Sequence, residues 1–290
     1  MPENLESALN WVAAFDLIVF GTLLLLDLGR DVLIHRMSRL RFLDTIASLS
    51  TQIPYLLVEI LTFNAVVIAY YTTQAIAPVG IETTIASFAI LLMLADFTYY
   101  WEHRCSHRIR LLWTSHAVHH SAPIMNIAVA YRFGYLDPLI SVPFHLPLVL
   151  IGYDPMAVFL AEVIVLVYQT WLHNDFIGKL GILERFLNTP SNHRVHHGSN
   201  PHYLDRNYGG ILIIWDRLFG SYAAEEEPVV YGLTAPINTV NPVKVWFSEL
   251  PKLVRDLISA QGIANYCGYL FRGPDWQPEK GHTPAGKTLK

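Results

Sequence analysis

Nine of the thirteen histidines in this 290-residue chain crowd into two windows. The first holds His103, His107, His116, His119 and His120; the second holds His173, His193, His196 and His197. His103 and His107 are four apart, and the runs His116-x-x-His119-His120 and His193-x-x-His196-His197 place rings at i, i+3 and i+4. On a helix such positions share one face, so each run could aim two or three imidazoles at one point. Neutral imidazole binds Zn, Cu, Fe or Ni without having to lose a proton at neutral pH. So many rings exceed the needs of one ion, and the pattern implies two.

Packing alone explains the set poorly. Several imidazoles buried together would each need a hydrogen-bond partner, and they would repel one another once protonated. A lone HxxxH pair would not carry that argument, but two HxxHH runs beside it do. His35, His145, His202 and His282 stand outside the spacing and read as packing or surface residues. The chain has no HExxH, which argues against a zinc peptidase, and no Glu-x-x-His pair of the soluble four-helix di-iron proteins. Cys105 and Cys267 are its only cysteines, too few for an iron–sulfur cluster and too far apart for a CxxC site. With no GxGxxG nucleotide fold either, electrons for redox chemistry must come from a separate donor.

The rings need a scaffold, and its composition suits lipid better than water. Hydrophobic residues make up 52% of the chain and charged residues 15%, with a mean hydropathy of +0.32. Residues 8–28, 53–71, 81–101 and 138–171 are apolar over lengths comparable with the roughly 20 helical residues a bilayer requires. The last stretch is too long for one crossing and is interrupted at Gly152-Tyr153-Asp154-Pro155, so it reads as a helical hairpin, spanning or re-entrant. Arg30, Arg36, Arg39 and Arg41 follow the first stretch, and residues 72–80 carry no charge. The third stretch delivers Arg104, Arg108 and Arg110 to the side of the first basic loop. Because positive loops stay cytoplasmic, the expectation is an all-α, multi-pass membrane bundle of about four transmembrane helices. The histidine windows would form a cytoplasmic helical cap, with the C-terminus on the same side. The start of the chain lacks the basic residues of a secretory signal, so the first apolar stretch reads as a retained helix. Residues 241–263 pattern as one amphipathic helix, either on the membrane surface or capping the cytoplasmic part. A net charge of -4 and the lack of a nucleic-acid-binding motif leave no nucleic-acid role.

The segments DFTYYWEHRCSH from Asp96, HAVHH from His116 and NHRVHH from Asn192 resemble, in that order, the fatty acid hydroxylase and sterol desaturase superfamily of integral-membrane oxygenases. Within it, the run from Asn192 to Thr234 resembles the ether-lipid enzymes of the alkylglycerol monooxygenase type. The resemblance implies a di-iron centre held by His103, His107, His116, His119, His120, His193, His196 and His197, with His173 as an additional histidine between the second and third boxes. It further implies two Fe ions, O₂, a membrane lipid substrate (ether lipid, sterol or fatty acyl chain) and an external reductant, either tetrahydrobiopterin or a redox-protein partner. Residues 90–222 would be the catalytic domain, between N-terminal membrane helices at 1–89 and a C-terminal region at 223–290. His202 departs from the superfamily pattern and is not counted as a ligand.

Hydroxylation of a lipid C–H bond is the favoured reading. A desaturase would use the same metal site, since a small displacement of the substrate decides between the two outcomes. A membrane metal transporter or metal-buffering protein is the alternative from another class, although transport calls for polar groups at the bilayer midplane. Asp96, seven residues before His103 and eleven before His107, shares their helical face and is the leading candidate to support the ligands or handle a proton. Glu102, Asn192, Asp205 and Asp216 are weaker candidates of the same kind. Tyr99, Tyr100 and Trp101 read as an interfacial aromatic belt, and Gly209-Gly210 as a flexible junction.

Overall fold

The apolar runs and their interruptions fix the helix boundaries of the computed structural model, which describes residues 3–278. His282 and the remaining tail lie outside the described residues. Among the described residues there is no β-strand, only the isolated bridges Leu187 to Leu212 and Gly198 to Tyr231. The scaffold helices are α1 (Glu3–Leu33), α2 (Arg39–Ser50), α3 (Gln52–Ala75), α4 (Ile85–Arg108), α5 (Arg110–His120), α6 (Asp137–Leu150) and α7 (Pro155–Gln169). Shorter helices follow: α8 (Pro190–His196), α9 (Ile214–Leu218), α10 (Pro242–Trp246), α11 (Leu250–Ser259) and α12 (Gly262–Phe271).

Among the described residues, three stretches are long and apolar enough to cross a membrane: Leu5–Leu33, Arg39–Ala75 and Pro155–Leu172. The second joins α2 and α3, separated only at Thr51, where Pro54 has no N–H to offer the Ser50 carbonyl and its ring crowds that oxygen. The apolar run at 81–101 becomes the greater part of α4, which has the length but not the composition of the other three. Asp96, Tyr99, Tyr100 and Glu102 break its apolar character, and α5, α6 and α7 pack around it. Small residues on α7, Ala157 and Ala161 one turn apart, are fully buried with Leu91 and Ala95 of α4. They let the two backbones approach closely, as small residues do between membrane helices.

The 138–171 stretch folds as the expected hairpin. Its tip meets the α3–α4 loop: the Ile81 N–H donates to the Gly152 carbonyl at 2.8 Å. Gly152 has φ +117°, and a Cβ there would stand 2.5 Å from the Val79 carbonyl oxygen, so only glycine fits this corner. Asp154 caps α7, accepting from the Met156 and Ala157 N–H groups at 2.9 and 3.2 Å, with Pro155 at the first helical position.

Residues 241–263 do not form the single amphipathic helix expected of them. They divide among α10, α11 and the start of α12, because Pro251 cannot continue a helix from the preceding turn and Gly262, at φ +78°, turns the chain again. The aromatic belt expected at Tyr99 and Tyr100 is also absent. Tyr100 is fully buried and shares a 2.9 Å hydrogen bond with Ser221, while Tyr99 donates to Gln169 at 2.9 Å. Both side chains are thus engaged by protein partners, Tyr100 in the interior and Tyr99 in the wall of the cavity.

Candidate metal centre

Four elements bring the histidines together. His103 and His107 sit on the last turns of α4; the chain bends at Ile109 into α5, which carries His116, His119 and His120. His173 follows the short 3₁₀ turn Thr170–Leu172 at the end of α7. His193 and His196 lie on α8, whose start is fixed by the Thr189 hydroxyl accepting from the Asn192 N–H at 3.3 Å and by Pro190 at its first turn; His197 is its C-cap.

The nine rings form two groups, each with ligand nitrogens within 4.8 Å of one another: His103, His107, His116, His120 and His196 in one, His119, His173, His193 and His197 in the other. The HxxHH runs therefore do not each serve a single point. In each run the i and i+4 rings go to one group and the i+3 ring to the other. Helical geometry supplies the reason, since i+3 and i+4 are about 100° apart around the axis while i and i+4 are about 40° apart.

Most of these rings present Nε2 to their group. Within the groups, Nε2 atoms approach at 3.0 Å (His103 and His116), 3.2 Å (His116 and His120), 3.2 Å (His119 and His173), 2.9 Å (His173 and His193) and 3.1 Å (His193 and His197). Ligands in neighbouring positions around an ion at about 2.1 Å are about 3.0 to 3.4 Å apart, so these spacings match the edges of a coordination shell. The opposite nitrogens are oriented by carbonyls: Nδ1–H of His103 donates to Tyr208 at 2.9 Å, of His119 to Arg132 at 3.3 Å, of His173 to Gln169 at 2.9 Å and of His196 to Arg206 at 2.9 Å. A carbonyl only accepts, so neutral His119 and His173 both carry their proton on Nδ1. Their Nε2 atoms then face each other lone pair to lone pair, an arrangement that a cation between them relieves. Nε2 of His107 and Nε2 of His196 are buried without any hydrogen-bond partner, as open ligand positions would be. The donor set thus fits two nitrogen-loving ions, one per group.

Burial first, and then the neighbouring rings, hold His116, His119, His120, His193, His196 and His197 well below the ordinary histidine pKa. Burial likewise brings His173 to about 4. The neutral, metal-binding form is the stable one in the folded protein.

Carboxylates enter at one remove. Asp205, in a left-handed turn at φ +60°, places Oδ1 3.7 Å from Nδ1 of His107. Asp96 does not reach a histidine by hydrogen bonding. Its oxygens accept from the Ile211 N–H at 2.6 Å, the Leu212 N–H at 3.1 Å and the Trp215 indole at 2.8 Å. Asp216, fully buried, accepts from the N–H groups of Tyr208 and Gly209 at 2.8 and 2.7 Å. Between them the two aspartates hold residues 208–216, the segment whose Tyr208 carbonyl orients His103. Gly209-Gly210 is accordingly a close approach rather than a flexible junction: a Cβ on Gly210 would stand 2.8 Å from an Asp96 oxygen. Asn192 donates to the Leu187 carbonyl at 3.2 Å and accepts from Asn207 at 2.9 Å through its own carbonyl, tying α8 to the same segment. His202 is exposed and joins neither group.

A cavity of about 570 Å³ leads to the centre, with His103, His116, His119 and His173 in its lining. Phe63, Phe159 and Leu166 also line it and are themselves exposed on the surface of the bundle, so the cavity is continuous with the apolar exterior. Glu162, also in its lining, went unnoticed in the sequence. The available signal was an acid in the middle of an apolar helix, which is costly in lipid unless it does something.

The helical scaffold carries two histidine groups that could each hold a metal ion, and residues 88–221 match the fatty acid hydroxylase family. Alkylglycerol monooxygenase of Homo sapiens is 45% identical over 186 residues, 64% of this chain and 41% of that protein. Ornithine lipid hydroxylase of Rhizobium tropici is 34% identical over 139 residues, 47% of this chain and 42% of that protein. Lathosterol oxidase of Homo sapiens is 25% identical over 146 residues, 50% of this chain and 48% of that protein. The chain spans about two fifths of the length of the alkylglycerol monooxygenases it matches. No solved structure matches it.

Proposed function

We propose that the chain is an integral-membrane di-iron enzyme that hydroxylates a C–H bond of a lipid with O₂. The observation that carries this reading is the coincidence of nine gathered imidazoles with a cavity that joins them to the apolar exterior of the bundle. Two irons, when bound, would supply O₂ activation and the oxidising power for the C–H bond. The protein's own part is positional. His103, His107, His116, His120 and His196 would hold one ion and His119, His173, His193 and His197 the other, with the carbonyls of Tyr208, Arg132, Gln169 and Arg206 fixing ring orientation. The all-histidine donor set adds no negative charge, and Asp205 behind His107 is the nearest carboxylate to balance it.

The lipid would enter sideways from the bilayer past Phe63, Phe159 and Leu166, and its bound chain would displace water near the metals. The relatives include an alkylglycerol monooxygenase, an ornithine lipid hydroxylase and a sterol oxidase, which supports an ether lipid, sterol or acyl chain as substrate. The reductant is external, tetrahydrobiopterin or a redox protein. Basic residues on one side of the helices support a multi-pass topology with the histidine groups cytoplasmic. Membranes containing the chain, supplied with ¹⁸O₂ and each reductant in turn, should yield a lipid product carrying one labelled oxygen. An unlabelled alkene would instead identify a desaturase, and unchanged lipid under every reductant would overturn the enzyme reading.

A further inference from the structure

The cavity that ends at the metal centre has an unbalanced lining. Asp16, Glu59, Glu102, Asp137 and Glu162 contribute carboxyl groups, and among the described residues no Lys or Arg lines it. Two of the five are already engaged: Asp137 accepts from the Ser115 hydroxyl at 2.7 Å and the Gly134 N–H at 2.6 Å, and Asp16 accepts from Tyr131. Glu102 and Glu162 are different. Each has an oxygen near Nδ1 of His145, at 3.7 and 3.8 Å, but that nitrogen donates its proton to the Ser141 carbonyl at 3.1 Å. Oε2 of Glu102 is buried with no hydrogen-bond partner, and so is Nε2 of His145 behind it.

α4 carries Glu102 immediately before His103, and α7 brings Glu162 to the same His145 ring. An acceptor without a donor, Oε2 of Glu102, therefore stands beside the candidate ligand His103, with the Glu162 carboxyl facing the same His145 ring. A buried polar group left unpaired costs about 1 to 3 kcal/mol, and a cavity retains one where a ligand completes the bond. We propose that Glu102 and Glu162 select and hold the polar head of the substrate, accepting hydrogen bonds from hydroxyl or ammonium groups of an uncharged or cationic lipid and turning away lipids with an anionic head. A carboxylate offers only acceptors and supplies no positive charge, so an anionic head would be desolvated there without a counter-ion and would meet like charge. With the head fixed beside His103 and the tail leaving past Phe63 and Phe159, the carbons adjoining the head are those brought to the metals. This inference rests on the cavity being the substrate site.

The test measures binding in the absence of O₂ and reductant, using the full chain, iron-loaded, in lipid nanodiscs. Three probes of one chain length, a monoacylglycerol, a long-chain primary amine and the corresponding fatty acid, are titrated and corrected for partition into protein-free nanodiscs. The glycerol and amine heads should bind at least about tenfold tighter than the carboxylate. Glu102→Gln with Glu162→Gln replaces two acid groups by amides that can donate to an anion, and should shrink the preference to within about threefold, at unchanged iron content. Fatty acid binding to the wild type as tightly as the other probes would overturn the proposal, as would an undiminished preference in the double variant. Should the double variant not accumulate, Glu162→Gln alone should lower the preference at least about threefold, and no change would be equally fatal. Head preference without any O₂-dependent oxidation would sink the enzymatic reading but leave this one; oxidation without head preference would do the reverse.

Discussion

His119 and His120 are neighbours in the chain and serve different groups, which shows how finely the centre depends on single residues. The sequence spacing identified all nine rings that the structure gathers, because HxxxH and HxxHH are local patterns. It could not divide them, because the division depends on how α5 and α8 are rotated against α4 and His173. Asp96 illustrates the same limit: its alignment with the α4 histidines is real, yet its acceptor oxygens are taken by residues 211, 212 and 215, more than a hundred positions away. Asp96→Asn should thus act through that segment. The amide would confront an N–H with its own donor, costing about 1 to 3 kcal/mol, and would loosen the Tyr208 carbonyl that orients His103. A lower melting temperature together with reduced turnover is expected; reduced turnover at unchanged melting temperature would point instead to proton handling. Acidity should act on the histidines themselves. Their folded pKa values lie below the unfolded value of about 6.5, so below that pH the unfolded chain binds more protons and stability falls as pH falls. Metal loss should follow the same direction, with iron retained at about pH 7.5 and released at about pH 5 in a dialysis series.

The helix termini do much of the positioning. α4 and α5 meet at Ile109, α7 ends in the turn that presents His173, and α8 is a short helix held by Thr189, Pro190 and Asn192. Helix existence was legible wherever apolar runs were long, and the hairpin break was legible because Gly152, Asp154 and Pro155 each carry a local backbone meaning. The fate of residues 241–263 was not, since the apolar periodicity runs through Pro251 and Gly262 and conceals the breaks they impose. Burial of Tyr100 and the bond of half-buried Tyr99 to Gln169 were likewise hidden, because whether an aromatic faces lipid or protein depends on what packs around α4. Gly152→Ala tests the hairpin corner. The alanine would have to hold φ +117° with its Cβ against the Val79 carbonyl, so a loss of about 1 to 3 kcal/mol in stability is expected by thermal or denaturant unfolding in detergent. A wild-type melting temperature would mean that the hairpin tip does not pack against the α3–α4 loop.

At the scale of the molecule, the bundle has two ends. The α3–α4 loop and the hairpin tip form one, and the histidine groups, with α12 packed against α5, form the other. If the bundle spans the bilayer as proposed, Cys267, exposed on α12, should react with a membrane-impermeant maleimide only from the histidine side. A cysteine at exposed Val79, in a Cys105→Ser and Cys267→Ser background, should react only from the opposite side, and labelling of both from one side would reject the topology. The central claim, that two ions are held by different sets of rings, is tested most directly by the iron content of the purified chain and of two single variants. About two irons per chain are expected in the wild type, and about one in both His196→Ala, which opens the five-ring group, and His119→Ala, which opens the four-ring group. A wild type holding a single iron, or full retention of iron in both variants, would contradict it.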